Sequence, residues 1–508
     1  MSDREYQSRF IKELRAAIAA GSKRIIAVSP TGSGKGFLAA RIMQMAAEKH
    51  CKSVFFADQR ELVFQLNAHL KRMDIPSTVV MRGVNNPYKS REELRASGMC
   101  NVVAKDTLWS RSYRKGRMML PQGQVVQVDE AHKSISYTYQ SILKDYSDSV
   151  VIGWTATPCR TDGRNLGAFY DKMLQVATYK ELQEQGYLVP VKIFAPDRPD
   201  LKRMRRSAGD YNRKDLQDRM NKDSMIGSIV EEWRKHSQDR QTIVFASGVK
   251  HSIALRDQFR RLGVTAEHVD GKMDQPTRDA IMSDARDGKI KVLCNYGVFH
   301  TGIDVPSLKY MICARPTKSF SLWRQMGGRI QRPYEGHDEC VIQDHSDNAL
   351  VYGYPDEDVE WDLNADEKIC ELHRKKKQKE GKSPKHCPEC KKVLTAKVCP
   401  APCGFKFPER KGKAIETGSG DLVALERKRV NRNSSQSDKQ AYWDKMLGWA
   451  IGKNRKVGAA SHRYKDKFGC WPNSSIQNTP KGKVQSNMNA KDFYNKVVRA
   501  IPGEGTDG

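Results

Sequence analysis

Short, continuously apolar runs alternate with longer helix-like stretches through the first 350 or so residues. Residues 24–28, 53–57, 101–104, 125–128 and 150–153 form a first series. They are continuous rather than alternating, as strands covered on both faces should be. The segments between them are long enough for crossover helices, which predicts a mostly parallel sheet. Near Gly186-Tyr187-Leu188-Val189-Pro190 the pattern pauses, and a second series follows at 191–195, 241–246, 266–269, 291–295, 309–313 and 340–343. The expectation is an α/β protein with two domains of similar size, 1–188 and 189–350. Beyond about residue 350 the strand-like runs stop, and Arg374-Lys375-Lys376-Lys377 opens a basic, polar stretch.

Length and charge narrow the class. A chain of 508 residues has room for roughly three domains with real cores. A net charge of +28 points to a polyanionic partner, with nucleic acid the default and an unspecialised basic surface the alternative. No apolar stretch of about 18 residues exists, so no membrane span or membrane partner is expected. Residues 1–10 are polar and charged, unlike the apolar core of a secretory signal. Of the 12 cysteines, four cluster between Cys387 and Cys403, and others sit in strand-like runs such as Val292-Leu293-Cys294. Scattered cysteines of that kind are expected as reduced core residues of a cytoplasmic protein.

Two segments carry the chemistry. Ser29-Pro30-Thr31-Gly32-Ser33-Gly34-Lys35 lies between the first strand and a helix starting near Phe37. The amides of Gly32, Ser33 and Gly34, with Lys35, could cradle phosphates at the helix N-terminus. The usual pattern starts with Gly and ends Gly-Lys-Ser/Thr, whose hydroxyl helps to hold magnesium; Ser29 and Gly36 depart from it at both ends. A structural Gly-rich turn is the alternative. Asp129-Glu130-Ala131-His132 ends the run 125–128, and two adjacent carboxylates there can hold a metal with one and activate water with the other. Alone, such a pair is more often a helix N-cap. On one sheet, the loop and the pair together indicate nucleoside triphosphate hydrolysis. Further on stand Trp154-Thr155-Ala156-Thr157-Pro158 and Gln325-Met326-Gly327-Gly328-Arg329-Ile330-Gln331-Arg332. Arg329 and Arg332 are three apart, which predicts that one helical face carries both guanidiniums. They belong to the second domain, where they could act on phosphate only when the domains close.

In this order the segments resemble the motifs of superfamily 2 helicases and translocases of the DEAH-box type, over residues 4–350 or so. Gln7 is similar to the family's adenine-reading glutamine. Thr31, Gly32, Ser33, Gly34, Lys35 and Gly36 fall on the first motif, and Asp129, Glu130 and His132 on the second. Thr155 and Thr157 resemble the third, residues 243–247 the fourth, and Gly302 and Asp304 the fifth. Gln325, Gly328, Arg329 and Arg332 match the sixth. His251-Ser252, the Asp270-Gly271 turn, Asp344-His345 with Asn348, and the cysteine cluster narrow the likeness to RadD-like DNA repair helicases of bacteria or phage. The resemblance implies two tandem RecA-like parallel-sheet domains. It implies ATP and magnesium as cofactors, with Asp129 holding magnesium, Glu130 activating water, Lys35 contacting phosphates, Arg329 and Arg332 acting as fingers and Gln325 joining the catalytic set. His132, Thr155 and Thr157 would couple nucleotide state to movement. With Gly36 in place of the family's threonine, either water completes the magnesium shell or the ATPase is crippled.

Behind the two domains, 351–384 is expected as a basic linker, 385–410 as a zinc ribbon, 411–440 as a second linker and 441–508 as a small, basic, partly helical region. Cys387, Cys390, Cys399 and Cys403 form two close pairs that can present four thiolates to zinc; redox or disulfide pairing is the alternative. His386 is expected as a bystander. Lys/Arg runs at 374–379, 391–392, 410–413 and 427–429 could extend a track for DNA. Residues 442–451 and 459–468 have helix-like apolar spacing, with core tryptophans, and could serve contacts to replication or repair proteins. The expected function is an ATP-dependent translocase or helicase on single-stranded or branched DNA, in repair, recombination or replication. The alternatives are an RNA helicase, or a nucleic-acid-binding scaffold with a weakened ATP site.

Overall fold

Continuous apolar runs need cover on both faces, and the chain meets that need in two separate sheets. The computed structural model describes residues 3–84, 98–159, 165–195, 206–207, 210–221, 223–298, 305–365, 369–400, 402–407, 435–468, 470–472 and 476. The first sheet contains β1 (Arg24–Val28), β2 (Ser53–Ala57), β3 (Ser77–Val80), β4 (Cys100–Ala104), β5 (Val125–Asp129), β6 (Val150–Thr155) and β7 (Lys172–Gln175). Their spatial order is β3-β4-β2-β5-β6-β1-β7, and every neighbouring pair is parallel. After β8 (Val191–Phe194) comes a two-residue ribbon, β9 (Arg206–Ser207) and β10 (Asp210–Tyr211). Then follow β11 (Gln241–Ala246), β12 (Ala266–Asp270), β13 (Val292–Tyr296), β14 (Leu308–Ala314) and β15 (Cys340–Asp344). With β8 they make a second all-parallel sheet, ordered β12-β13-β11-β14-β15-β8. These are two tandem RecA-like lobes. β3 and β7 lie outside the predicted runs because each holds only two consecutive apolar residues, Val79-Val80 and Met173-Leu174.

Helices cover the first sheet by their apolar stripes. Helix α1 (Glu5–Ala19) buries Tyr6, Phe10, Ile11, Leu14 and Ala17, the spacing of one helical face. Helix α2 (Lys35–Glu48) starts directly behind Gly34, whose φ of 80° makes the left-handed turn into it. Helix α3 (Arg60–Arg72) lies alongside α2. Inside the sandwich one polar tie fixes the acid-bearing strand against α2. Gln127 on β5 donates to the Ala39 carbonyl at 3.0 Å and accepts from the Trp154 indole at 2.7 Å, both side chains being buried.

A third element joins the lobes. The chain leaves β15 through a short helix, Asn348–Tyr352, and crosses back as a strap over residues 354–365. Asp358 accepts from the amides of Tyr179 and Lys180 at 2.7 and 3.2 Å, at the start of a first-lobe helix. Asp356 accepts from Gln183 Nε2 and from the Val191 amide, 2.8 and 3.2 Å away. The Glu357 carbonyl accepts from Arg324 at 2.7 Å, and Pro355 packs against Gly327. The front of the stretch expected as a basic linker is therefore acidic and docked, and the basic run 374–379 follows on the helix Ile369–Lys379.

Residues 387–403 fold on a hairpin of Lys385–His386 and Val393–Leu394 set beside the Phe194 end of β8. The chain divides into two compact units, 1–408 and 409–508. In the second, the helices Gln436–Gly452 and Val457–Phe468 pack around Trp443, Leu447, Tyr464 and Phe468. Trp443 is buried as a core residue should be, whereas Trp471 is half exposed. The basic runs at 410–413 and 427–429 lie outside the described residues. No helix among the described residues is long and apolar enough to cross a membrane.

Candidate nucleotide site

Both chemical segments of the first lobe leave the carboxyl ends of their strands, the loop from β1 and the acids from β5, with β6 between them. Two strand spacings are about 10 Å. The Lys35 side chain closes that gap with an ion pair and hydrogen bond to Asp129 Oδ1. The loop is braced from inside. Ser29, the departure at its start, is buried, and its hydroxyl meets the Ser33 hydroxyl at 2.6 Å while Ser33 donates to the Pro30 carbonyl at 2.7 Å. From α1, the Tyr6 hydroxyl donates to the Ser33 carbonyl at 2.8 Å. Gln7 lies against Gly34 so closely that a Cβ there would stand 2.9 Å from its Nε2. Thr31, Gly32, Gly34, Lys35 and Gly36 line one cavity of about 400 Å³, together with Asp129, Glu130 and residues of α3. Ser33 stands behind them and shapes the turn.

Glu130 adopts a left-handed backbone conformation, φ 51°, which a non-glycine residue rarely takes. Its amide donates to Asp129 Oδ1 at 2.9 Å, so the two carboxylates are held at a fixed angle. His132 Nδ1 lies 3.3 Å from Glu130 Oε2 and 3.3 Å from the Thr155 hydroxyl. Burial pushes the Glu130 carboxyl up, but Lys35, His132, Lys133 and Arg329 outweigh it and hold it below the ordinary glutamate range. Burial alone would lower Lys35; Asp129 and Glu130 reverse that and keep the ammonium charged.

The second lobe reaches the same cavity. Gln325 Nε2 donates to Glu130 Oε1 at 3.1 Å, and Arg329 and Arg332 line the cavity wall. The expectation that one helical face carries both arginines is corrected. The helix Phe320–Gly327 ends at the Gly327-Gly328 pair, and both arginines lie in the turn beyond it. Tandem glycines stop the helix, and Pro333 cannot continue one. Gly328 itself faces the loop, since a Cβ there would lie 2.5 Å from Thr31 Cβ. Thr157 ties its hydroxyl to that of Ser321 at 2.5 Å, linking the segment after β6 to the second-lobe helix. Gly302 and Asp304 lie outside the described residues.

Several residues in and around the cavity carried no recognisable signal. Ser321 is one serine in Ser319-Phe320-Ser321 and stands out only by its contact. Gln65, His69 and Arg72 reach the cavity from α3 because that helix packs on α2, which no local spacing reveals. Tyr6 was legible as Gln7's neighbour, though not as a brace.

Away from the cavity, the Sγ atoms of Cys387, Cys390, Cys399 and Cys403 all lie within 4.8 Å of one another. Cys387–Cys403 are 3.7 Å apart and Cys390–Cys399 are 3.5 Å apart, and all four are free thiols. A tetrahedral zinc with Zn–S bonds of about 2.3 Å requires S···S edges of about 3.8 Å, so the set fits that ion. Neighbouring His386 is not part of the set.

Residues 1–160 match the family described as "Type III restriction enzyme, res subunit", and residues 221–333 match "Helicase conserved C-terminal domain". A "51.5 kDa protein" of Lactococcus phage (isolate 7-9) is 30% identical over 430 residues, which is 84% of this chain and 88% of that protein. A Saccharomyces cerevisiae protein provisionally named ATP-dependent helicase IRC3 is 27% identical over 386 residues, covering 71% of this chain and 55% of that protein. The chain thus spans about half the length of the yeast relative. Among solved structures, a fragment provisionally assigned as the HsdR subunit of a type I restriction enzyme from Vibrio vulnificus YJ016 superposes with a TM-score of 0.54 at 19% identity, over 72% of this chain and 70% of that one. That likeness is one of fold.

The close approach of Gly328 to Thr31 generates a prediction. Gly328→Ala should push the second lobe off the loop by about 1 Å, which lowers polymer-stimulated ATP turnover by about a hundredfold. The thermal midpoint should stay close to that of the parent, because the site and not the core is displaced. Turnover and differential scanning calorimetry measure the two.

Proposed function

The chain belongs to the superfamily 2 helicases of the bacterial and phage type and is a nucleic-acid-dependent ATPase, and on that premise we propose that it is a DNA helicase or translocase working on single-stranded or branched DNA. The observation that carries this reading is the shared cavity. Lys35, Asp129 and Glu130 come from the first lobe and Gln325, Arg329 and Arg332 from the second, with Gln325 and Glu130 in contact at 3.1 Å. A site assembled only when two lobes meet can turn nucleotide state into lobe movement. The domain boundary near residue 188 is part of this proposal, as the lobes must move about it.

The roles follow from chemistry. Lys35 and the loop amides hold the β- and γ-phosphates. Asp129 would hold magnesium, which when bound neutralises phosphate charge. Glu130, kept ionised, takes a proton from the attacking water as its oxygen bonds to the γ-phosphorus and the bond to the β–γ bridging oxygen breaks. Gln325 fixes Glu130 by its hydrogen bond. Arg329 and Arg332 match the charge that gathers on the transferred phosphoryl group. Gln7 beside the loop fits the adenine end. The links His132–Thr155 and Thr157–Ser321 couple the acids to the second lobe.

A nucleic-acid track is supported on the first lobe by aromatic and basic groups together. Trp109 stacks on Tyr113 at 4.7 Å and meets Tyr137, which is 78% exposed, and Arg111, Arg114, Lys115 and Arg117 share that segment. Exposed rings accept any base and cations accept any phosphate, so sequence should matter little and salt greatly. We assign zinc to the four cysteines, which would order a ribbon too small for a core of its own. Repair, recombination or replication is the proposed setting.

Three outcomes are expected. ATP turnover should be stimulated by single-stranded DNA and not by RNA of equal length; stimulation by RNA alone would make RNA the track, and no turnover would leave a binding scaffold. Glu130→Gln should lower turnover by about a hundredfold or more while ATP binding, read by equilibrium fluorescence, persists. The purified protein should carry one zinc by elemental analysis, and a Cys387→Ser/Cys390→Ser protein that still carries it would remove the ribbon assignment.

A further inference from the structure

Gly36 stands where a hydroxyl is usual after the loop lysine, and the space beside it is filled. It is the second residue of α2. A Cβ built on it would meet the His69 ring, at 3.3 Å from Cδ2 and 3.4 Å from Nε2. His69 comes from the last turn of α3 and lines the cavity together with Lys35 and Asp129. Glycine at 36 and imidazole at 69 therefore occupy one place between them, because a threonine there would crowd the ring. We propose that His69 is a positioning residue for the nucleotide-bound magnesium, holding the ion's hydration shell through Nε2 in place of the hydroxyl that residue 36 lacks.

The chemistry suits that task. Magnesium keeps several of its waters and takes oxygen ligands, so an imidazole serves it best by accepting a hydrogen bond from a metal-bound water. A neutral ring with its proton on Nδ1 can accept at Nε2. Burial, with Arg72 close by, lowers the His69 pKa from its ordinary value and favours that neutral form. The α3 helix supplies what the loop does not, and the motif's departure need not mean a dead site.

This inference rests on the proposed nucleotide site, and the test separates the two. The probe is a fluorescent, non-hydrolysable ATP analogue bound to the full chain, with magnesium titrated in and, separately, with EDTA. His69→Ala should raise the half-saturating magnesium concentration by about tenfold or more and leave analogue affinity in EDTA unchanged. His69→Gln, which keeps an acceptor, should fall between parent and His69→Ala. Gly36→Thr alone should weaken magnesium-dependent binding by crowding the ring, yet in the His69→Ala background it should recover most of the loss. A His69→Ala protein with parental magnesium dependence, or one weakened equally with and without the ion, overturns the assignment. A parent chain that binds the analogue in neither condition overturns the nucleotide site and His69 with it, and one that binds it equally in both overturns the magnesium role alone.

Discussion

The structure turns on charge buried in one cavity. Lys35, Arg329 and Arg332 converge there with Asp129 and Glu130. Each would be expensive to remove from water alone, and stripping one partner from a buried pair costs about 3–5 kcal/mol. The acids of the first lobe therefore need cations close by. Lys35 supplies one from the same lobe, through its bond to Asp129. Arg329, whose own pKa is lowered by burial and supported by Glu130 and Asp129, supplies the other from the second lobe. Closure of the lobes therefore favours the ionised form of Glu130, while burial and the Glu130 charge hold the Asp129 carboxyl above its ordinary range.

That coupling needs mechanical connections, and three lie around the cavity. The Thr157–Ser321 hydroxyl pair joins the segment after β6 to the helix that carries Gln325. Gly328 presses on Thr31 behind it. The strap at 354–365 runs outside both, caps a first-lobe helix with Asp358 and holds Arg324 of the same second-lobe helix through the Glu357 carbonyl. Arg324 also packs over Tyr179, Phe320 and Trp361, so it is a hub between strap and lobes. A change at the phosphates can move the lobes only if these contacts differ between open and closed states. Their position on one short helix gives a single element that both the site and the strap can bias.

The central strands were legible because burial on both faces writes an unmistakable pattern. Residues 24–28, 125–128 and 241–246, for example, are apolar apart from Arg24, Gln127, Gln241 and Thr242, and became β1, β5 and β11. The edge strands β3 and β7 were not, since Ser77-Thr78 in one and Lys172 with Gln175 in the other leave only two consecutive apolar residues in each. Of the cavity, Lys35, Asp129, Glu130, Gln325, Arg329 and Arg332 could be named in advance and do line one space. What failed was the local geometry of the arginines, where a spacing of three suggested a helix that the Gly327-Gly328 pair ends first. What stayed invisible was everything contributed by packing between elements distant in the chain, such as Ser321, the strap and α3.

The two departures in the phosphate loop show why such a motif is better read as a set of positions in space than as a string. Ser29 replaces a glycine at a buried point on the cavity's edge, and its hydroxyl braces Ser33 and the turn. A glycine is needed where φ is positive, and that condition holds at Gly32 and Gly34, with φ of 92° and 80° and the Leu188 and Gln7 side chains packed close against them. The conformational demand of the loop is therefore met in full by the two glycines that remain. Gly36 is the opposite case, since its loss is chemical and not conformational. A missing oxygen can be replaced by any acceptor that reaches the same water, and the neighbouring helix packs a ring nitrogen against that spot. A string match counts both changes equally; the geometry separates a harmless exchange from one that requires a second residue to act.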